Sequence, residues 1–394
     1  MILSDVCEFI VDCPHSTAPD EGKGYPLIRT PNVGKGRLDL NGVHRVSESV
    51  YKQRIQRGAP RANDLIFARE APAGNVALVQ ENQTVCLGQR TVLIRPNVQK
   101  VNPQYLVYYL LSPKPQYELL GTANGATVAH VNLPAIRNLK IELPEKSVQD
   151  KIGTILVTYD VLIENNQRQI KLLEEAAQRL YKEWFVDLHF PGHENTKIVD
   201  GVPEGWQWCK VRDVADINSS ALPKNYKEDF IDYVDLGSVR CGHIETRTRY
   251  NLNEAPGRAK RCAKDGDIIW GMVRPNLKAY ALVTNPKETD VFSTGFAVLS
   301  AKKVPYSYLY CAVTQEEFVG YLVNATNGAA YPAVKPVHFE VADILKPDDK
   351  VLEQFHSVAD SIYRKKEALE NQNHNLRESR DLLLPKLMNG EVEV

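Results

Sequence analysis

The sequence predicts an α+β chain with two similar globular domains in tandem, each followed by a long helix, the two helices pairing as an antiparallel coiled coil. Three observations predict this architecture. A long amphipathic stretch with an alternating apolar spacing lies in the middle of the chain, at residues 149–186, and a poorer copy closes the chain at residues 351–392. A shift of 203 residues that aligns the two stretches also aligns the segments upstream of them. An internal repeat of this kind means that one structural unit is written twice.

These patterns set the expected boundaries. The first domain spans 1–148, the first helix 149–187, a linker 188–208, the second domain 209–348 and the second helix 349–394. Within the first domain, "YPLIRTPNV" and "DLIFAREAP" predict strands between turn-forming residues, and "TVCLGQRTVLI" predicts a strand with a turn. "PQYLVYYLLS" predicts a short helix, and "PYSYLYCAVTQEEF" repeats it in the second domain.

The first long helix carries an apolar position every four and three residues in strict alternation. This spacing averages 3.5 residues, the period of a coiled-coil seam. The predicted seam consists of Ile152, Leu156, Tyr159, Ile163, Asn166, Ile170, Leu173, Ala177, Leu180 and Trp184. A helix lying on the surface of a domain would explain the apolar residues but not nine alternating steps. Asn166, the one polar residue, fits a position that fixes register at some cost in stability.

The second helix is the expected partner. The 203-residue shift places its apolar seam positions at Phe355, Ile362, Leu369, Leu376, Leu383 and Leu387, with Ala359 also apolar. Lys366, Asn373 and Arg380 occupy the remaining positions, so the second seam is less regular.

Anchors upstream of the helices extend the repeat into the domains. The aligned pairs are Asp64 with Asp267, Gly125 with Gly328, Val131 with Val334, and Pro144 with Pro347. The two prolines place a domain at the N-terminus of each helix. Parallel pairing would crowd both domains at one end, whereas antiparallel pairing places them at opposite ends, and we therefore expect an antiparallel pair.

Composition excludes several classes of protein. The 394 residues are 43% hydrophobic and 25% charged, as in globular proteins. The N-terminus has no basic region followed by an apolar run, and no stretch approaches 18 apolar residues, so we expect neither a signal peptide nor a membrane span, and a cytoplasmic location. Seven scattered cysteines without a C-x-x-C motif predict reduced thiols rather than disulfides or zinc ligands.

Motifs for catalysis are missing. The sequence contains no phosphate-binding loop for ATP and no H-E-x-x-H metal motif. "PDEGK" at 19–23 is better explained as a surface turn than as a nuclease-like magnesium site. "NPQY" at 102–105 lacks the second proline of the amino-methyltransferase motif, and Asn102 as a helix N-cap before Pro103 explains it fully. We therefore predict no catalytic, cofactor-binding or metal-binding residues on this chain.

Basic residues are concentrated at corresponding places in the two domains, although the net charge is −1. One zone runs from Lys23 to Arg61 and the other from Glu245 to Lys278. A basic run is commonly a solvated face, and its recurrence in both copies leaves phosphate binding as an equal alternative.

Several segments carry a resemblance to a known family. "LIENNQRQIKLLEEAAQRLYKEWFVDLHFPGHE" resembles the central conserved region of Type I restriction–modification specificity subunits, and "LRESRDLLLPKLMNGEV" resembles their C-terminal conserved region. "TANGATVAHVNLPAIRNLKIELP" is similar to the end of their first target recognition domain, and "VPEGWQWCKVRDV" to the entry into their second. The resemblance covers essentially the whole chain, although the first domain begins at "MILSDV" without the "PEGW" lead of the second.

The resemblance implies a DNA-recognition subunit without catalysis of its own. Each target recognition domain would read one half of a bipartite site in double-stranded DNA, and the helices would set the gap between the halves. They would also dock two modification subunits that use S-adenosylmethionine, and restriction subunits with ATP and Mg²⁺ would join that core.

Candidate DNA contacts follow from the basic zones and the resemblance. They are Arg29, Lys35, Arg37, Arg69, Thr127 and His130 in the first domain, and Arg247, Arg249, Arg274, Asn276, Lys278 and Tyr331 in the second. Two alternatives stay open from the sequence: the specificity chain of a combined restriction–methylation system outside Type I, and a coiled-coil scaffold without a DNA role.

Overall fold

The computed structural model describes residues 1–121, 129–326 and 332–394 and divides into two compact units. The first unit combines Met1–Gln167 with Asn371–Val394, and the second is Arg168–Glu370. Each unit therefore contains one globular domain and a part of each long helix.

The first part of the chain, up to the first long helix, alternates short strands and helices. Its elements are β1 (Cys7–Asp12), β2 (Tyr25–Ile28), β3 (Gly36–Arg37), β4 (Arg45–Val46), α1 (Glu48–Arg54), β5 (Leu65–Ala68), β6 (Val76–Leu78), β7 (Cys86–Leu87), β8 (Thr91–Pro96), α2 (Pro103–Leu111), α3 (Pro113–Gly121), α4 (Leu133–Arg137) and α5 (Lys146–Tyr181).

The second part repeats this alternation with more strands. Its elements are β9 (Ile198–Val199), β10 (Val202–Pro203), β11 (Gln207–Lys210), α6 (Val211–Val214), β12 (Ala215–Ile217), β13 (Phe230–Val234), β14 (Val239–Arg240), β15 (His243–Ile244), β16 (Thr248–Asn251), β17 (Ala259–Arg261), β18 (Ile268–Gly271), β19 (Tyr280–Leu282), β20 (Asp290–Ser293), β21 (Phe296–Ala301), α7 (Tyr306–Thr314), α8 (Glu316–Asn324), α9 (Pro336–Glu340), β22 (Asp343–Lys346) and α10 (Asp349–Met388).

A five-stranded sheet in the order β1-β8-β5-β6-β3 forms the centre of the first unit. Its β5 strand is apolar throughout because both faces are covered. Leu65 and Phe67 point into the core shared with α2 and α5, whereas Ile66 and Ala68 point into a second core on the other face. This alternation follows from the two-residue period of a strand. A smaller sheet, β4-β2-β7, completes the domain.

The second unit has the same arrangement around the sheet β12-β21-β18-β19. Ile268 and Trp270 of β18 face the core shared with α5, α7 and α10, and Ile269 faces the opposite core. Its second sheet, β16-β13-β20-β17, pairs β13 with β20 in parallel, as β2 pairs with β7 in the first unit. The shared topology confirms the internal repeat.

Several local predictions are confirmed and some boundaries differ. Asn102 caps α2, since its Oδ1 accepts the Tyr105 amide at 3.0 Å. The first long helix begins at Lys146 rather than at 149 and continues into a π-helical turn, Lys182–Val186. The expected linker 188–208 is partly structured, because it holds the β9–β10 hairpin and the start of β11, and Phe190 and Trp206 are buried.

All seven cysteines are free thiols, and three of them, Cys13, Cys86 and Cys311, are buried. Burial raises the pKa of Cys86 to about 11 and that of Cys311 to about 12. Among the helices of the described residues, none is both long and apolar enough to cross a membrane.

Candidate nucleic-acid interface

The first basic zone contains residues in different surroundings. Lys35 is exposed, at the tip of the loop before β3. Arg37 turns instead to the first long helix, where its Nη1 lies 2.7 Å from Glu164 Oε2. Arg29 is half-buried, and its amide donates to Asn32 Oδ1 at 3.1 Å to close a short turn. Of these three candidates, Lys35 is the one best placed to meet a phosphate.

Arg69 and His130 lie together in a polar cluster at the β5–β6 end of the sheet. Arg69 Nη1 lies 2.7 Å from Asp12 Oδ2, its Nε donates to the Val131 carbonyl at 2.8 Å, and its Nη2 lies 2.7 Å from His130 Nε2. His130 Nδ1 contacts Glu70. The cluster borders a cleft of about 300 Å³ that also includes His15 and Gln89.

Arg90 belongs to this cleft and is absent from the candidates chosen from sequence. Its Nη1 lies 2.6 Å from Glu70 Oε2, while its side chain stays 62% exposed. Asp12 offsets the charge of the more buried Arg69, so Arg90 is the cation that faces solvent here. The cluster is assembled from four separate chain segments, and no local motif signals it.

The second basic zone is also tied to carboxylates. Arg249 forms a bidentate pair with Asp232, in which its Nε donates to Oδ1 at 2.9 Å and its Nη2 to Oδ2 at 3.1 Å. Its guanidinium lies 4.1 Å from the centre of the Phe230 ring. This hydrogen bond is the main cause that keeps the pKa of the Asp232 carboxyl below its ordinary value. Arg247 Nε lies 3.3 Å from the carboxylate of the buried Asp290. These two arginines therefore brace the second sheet.

The "RPNLK" stretch brings three candidates onto a single tight turn. Arg274 and Lys278 both adopt left-handed backbone angles, with φ of 50° and 53°, on either side of the turn Pro275–Leu277. Asn276 at its tip is exposed, and Lys278 Nζ lies 2.5 Å from Glu316 Oε1. The turn lies between β18 and β19, and in the first unit Arg69 lies in the equivalent loop, between β5 and β6.

The correspondence between these two loops extends to their neighbours. The Val131 amide donates to the Arg69 carbonyl at 3.0 Å, and the Arg274 amide donates to the Pro332 carbonyl at 2.8 Å. In each unit, the loop that carries the cation lies at the corresponding end of the main sheet and is hydrogen-bonded to the segment before α4 or α9. Thr127 and Tyr331, also candidates, lie outside the described residues.

The long helices pair in opposite directions within each unit. In the first, Asp160 meets Arg380 and Asn166 meets Asn373, so the residue number rises along α5 as it falls along α10. In the second, Glu174 meets Lys366 and Phe185 meets Phe355, whose ring centres are 5.0 Å apart. The antiparallel prediction is confirmed, and Asn166 has a polar partner, with its Nδ2 3.0 Å from Asn373 Oδ1.

The seam does not follow the strict alternation that the sequence suggested. Ile152, Leu156, Ile163, Asn166, Ile170 and Ala177 are buried as predicted, as are Phe355, Leu369 and Leu387. Tyr159, Leu173, Leu180, Trp184, Ile362, Leu376 and Leu383 are only partly buried. Their neighbours Asp160, Tyr181, Phe185 and Tyr363 lie deeper.

The physical reason is the period of the helix. Buried positions 152, 156, 160 and 163 in the first unit, and buried or half-buried positions 174, 177, 181 and 185 in the second, advance by roughly 3.7 residues per step. This spacing corresponds to 11 residues per three turns, which is wider than the 3.5 residues of a coiled-coil seam and does not give its left-handed supercoil. Since each long helix also packs on a domain core, its buried stripe takes in positions such as Asp160 and Tyr181 that a 3.5-residue seam leaves out.

A partly buried cluster of charged side chains joins the second domain to the helices. His243 Nδ1 donates to Glu370 Oε1 at 2.7 Å, and Lys366 Nζ lies 3.2 Å from Glu174 Oε1. Burial opposes the charge on His243, but hydrogen bonds to Glu174 and Glu370 outweigh it and raise the pKa of His243 to about 9. Burial likewise opposes the charges on both glutamates, yet His243 and Lys366 hold their pKa values below the ordinary range.

Comparison with known proteins finds similarity to one kind of protein. Residues 1–175 match the family described as Type I restriction modification DNA specificity domain. The MjaIX specificity subunit of Methanocaldococcus jannaschii is 27% identical over 365 residues, covering 90% of this chain and 83% of that protein. The HindI specificity subunit of Haemophilus influenzae is 20% identical, covering 85% and 87%.

A solved structure shares the fold. The crystal structure of a Type I restriction–modification S subunit from M. genitalium superposes with a TM-score of 0.60 at 14% identity, covering 98% of this chain and 95% of that one. The comparisons therefore agree: residues 1–175 match the Type I restriction modification DNA specificity domain, and the chain is similar along most of its length to Type I restriction enzyme specificity subunits.

Proposed function

We propose that this chain reads a bipartite site in double-stranded DNA, one half with each domain, and that its paired helices fix the distance between the halves. Specificity subunits of Type I systems are non-catalytic and recognise DNA within complexes that contain methyltransferase and restriction subunits.

The observation that carries the proposal is the repeated loop geometry. In each unit, a turn between two adjacent strands of the main sheet is bonded to the segment before α4 or α9, at Arg69 in one and at Arg274 in the other. The exposed cation beside the first turn is Arg90, and the cations of the second turn are Arg274 and Lys278. Cationic side chains on loops of a rigid sheet suit contacts to phosphates, which position a protein on DNA, and neighbouring polar side chains can then read base edges. Two such surfaces on one chain support a two-part site.

We further propose that two modification subunits dock on the long helices α5 and α10. S-adenosylmethionine would bind to those subunits, and ATP with Mg²⁺ to restriction subunits, because the sequence of this chain contains no motif for any of them. The residues of this chain would bind and orient the DNA, and the partners would supply the reaction.

The experiment lengthens the helix pair. One heptad is inserted after Gln167 in α5 and one after Glu370 in α10, so that the pair Asn166–Asn373 on one side and the pair Glu174–Lys366 on the other both remain intact. Seven residues add about 10 Å at 1.5 Å per residue. At about 3.4 Å per base pair, the gap between the half-sites should grow by roughly three base pairs.

The measurement is the methylated motif, mapped by sequencing the genome of a host that expresses the chain with its modification subunits. Both half-sites should stay the same, because the reading loops are untouched. A control insertion of equal length after the exposed Gly192 lengthens the chain without lengthening a helix, and should leave the gap unchanged. A heptad variant that methylates DNA with the original gap would refute the role of the helices.

A further inference from the structure

We propose that each reading domain is held in one orientation on the helix pair by a small polar clasp, in which a glycine and the cation that follows it grip acidic residues of the helices. The first clasp consists of Gly36 and Arg37 with Asp160 and Glu164. The second consists of Gly242 and His243 with Glu174, Lys366 and Glu370. The inference rests on the proposed function, because it explains how the gap between half-sites is kept strict.

The same short sequence pattern carries both clasps. "VGKGRL" at 33–38 aligns with "VRCGHI" at 239–244, with glycine followed by a cation at the fourth and fifth positions. Gly36 and Gly242 adopt nearly identical backbone angles, with φ of 93° and 92°, in the left-handed region that favours glycine. The pattern recurs although the surrounding loops differ in length and in strand pairing.

The glycines are required by contact as well as by conformation. A Cβ at Gly36 would lie 2.8 Å from Asp160 Oδ2 and 3.3 Å from the ring of Tyr108. A Cβ at Gly242 would lie 3.0 Å from both Glu174 Oε1 and the Tyr310 hydroxyl. In each unit, the backbone therefore passes between a helix carboxylate and a tyrosine, with no room for a side chain.

The following cation completes each clasp. Arg37 Nη1 lies 2.7 Å from Glu164 Oε2, and His243 Nδ1 lies 2.7 Å from Glu370 Oε1. In the second unit, Lys366 Nζ also donates to the Gly242 carbonyl at 2.7 Å. Each clasp therefore ties its loop to the helices through directional polar contacts at the edge of the central sheet.

Each clasp includes a carboxylate that lies well along the helix from the apolar contact between the domain and that helix. The apolar contact between domain and helix in the first unit involves Ile152 and Leu156, and Glu164 lies eight residues further along α5, about 12 Å away at 1.5 Å per residue. In the second unit, Glu370 lies seven residues beyond the buried Tyr363, roughly 10 Å away. Apolar burial is non-directional. A polar contact at a distance from it fixes the rotation that apolar packing leaves free.

The clasps are therefore positioning devices and not part of the DNA-reading surface. A domain free to rock on its helices would accept half-sites with one base pair more or less between them. With both clasps closed, a single gap is accepted.

The test uses the full chain in complex with its modification subunits, in a host without adenine methylation. We compare Glu164→Gln and Glu370→Gln with wild type, and map methylation at half-site pairs whose gap is one base pair shorter or longer than the main one. Methylation at these sites should rise about twofold to fivefold, the factor that corresponds to one polar contact of this class. The half-sites themselves should not change.

Matched controls remove the same charge from the same helices without touching a domain. Glu378→Gln removes a carboxylate that pairs with His374 on α10, and Glu175→Gln removes one that pairs with Lys171 and Arg179 on α5. Both should keep the wild-type gap. The exchanged pair Arg37→Glu/Glu164→Arg should restore the single wild-type gap between half-sites. Such a rescue could not occur if the single variants acted only by lowering stability.

Hydrogen exchange provides a second measurement that does not depend on DNA. Peptides covering residues 33–40 should exchange faster in Glu164→Gln than in Glu378→Gln. If the clasp variants keep both the wild-type gap and wild-type exchange, the clasps have no positioning role. If wild type methylates no two-part motif, the proposed function fails, and exchange alone then decides whether the clasps hold their loops.

Discussion

At the scale of single residues, neighbours in sequence differ in what they contact. Lys35 and Arg37 are two residues apart in one basic zone, but Lys35 is exposed while Arg37 pairs with Glu164. The sequence shows where the cations are. It cannot show which of them are neutralised by carboxylates far along the chain, and Arg69 and Arg249 are further examples.

The first prediction separates these two residues. Lys35→Ala should weaken DNA binding regardless of sequence and reduce the slope of log affinity against log salt by about one, because one phosphate contact is lost. Adding Arg37→Ala should change the slope no further. Fluorescence anisotropy of the complex at several salt concentrations measures both slopes. An unchanged slope in the single variant would show that Lys35 lies on a solvated face.

The second prediction concerns the pH dependence of the second unit. The pKa of His243 is raised to about 9 from its ordinary 6.5, so the charged form is favoured by folding. Its contribution to stability is fully present below about pH 6.5 and is lost as the pH rises through about 9. The partners that face it are Glu174, Glu370, Lys366 and Tyr310.

The measurement is urea unfolding between pH 6 and 10, followed by tryptophan fluorescence. All four tryptophans lie within the second unit, so the signal reports that unit alone. The stability difference between wild type and His243→Gln should shrink as the pH rises towards 10. The control Glu175→Gln should follow the wild-type pH profile. A difference that stays constant with pH would contradict the protonated state of His243.

At the scale of elements, the helices were predicted well and their contacts less well. Their existence, pairing and direction follow from the repeat and the apolar spacing. The deeper positions, such as Asp160 and Tyr181, could not be found this way, because α5 packs simultaneously on α10 and on a domain. A seam search assumes a single partner, and a helix with two partners buries a wider stripe.

The third prediction exploits a difference between equivalent places in the two units. In the first unit, Asp160 is buried between Arg380 and the Tyr108 hydroxyl. In the second unit, the equivalent residues under the 203-residue shift are Tyr363 for Asp160, Ala177 for Arg380 and Cys311 for Tyr108. Arg380→Ala should destabilise the first unit by about 3–5 kcal/mol, because it leaves a buried carboxylate without its cation.

Replacing the three residues of the first unit by their equivalents from the second unit should restore most of the lost stability. The graft combines Tyr108→Cys, Asp160→Tyr and Arg380→Ala, and it removes the buried charge together with its partner. Hydrogen exchange of residues 150–166 measures the first unit, with the surface variant Glu378→Gln as control. If the triple variant is no more stable than Arg380→Ala, the residues of the second unit cannot replace those of the first.

At the scale of the whole molecule, the repeat predicted the two domains but not the division into compact units. The expected boundaries followed the chain in order, 1–148 through 349–394. The structure instead assigns residues 371–394 to the first unit, where Leu387 is buried in the same core as Ile152 and Leu156. A linear pattern cannot reveal this, because the last turns of α10 are contiguous in sequence with the second unit.

The composition of the first unit has a consequence for how the protein is made. The second unit is one continuous segment, so all of its residues have been joined to the chain before the last part of α10 is synthesised. The first unit must wait for residues 371–394, although its domain is translated first. A stop codon or frameshift just after residue 370 would therefore spare the domain encoded last and disable the one encoded first.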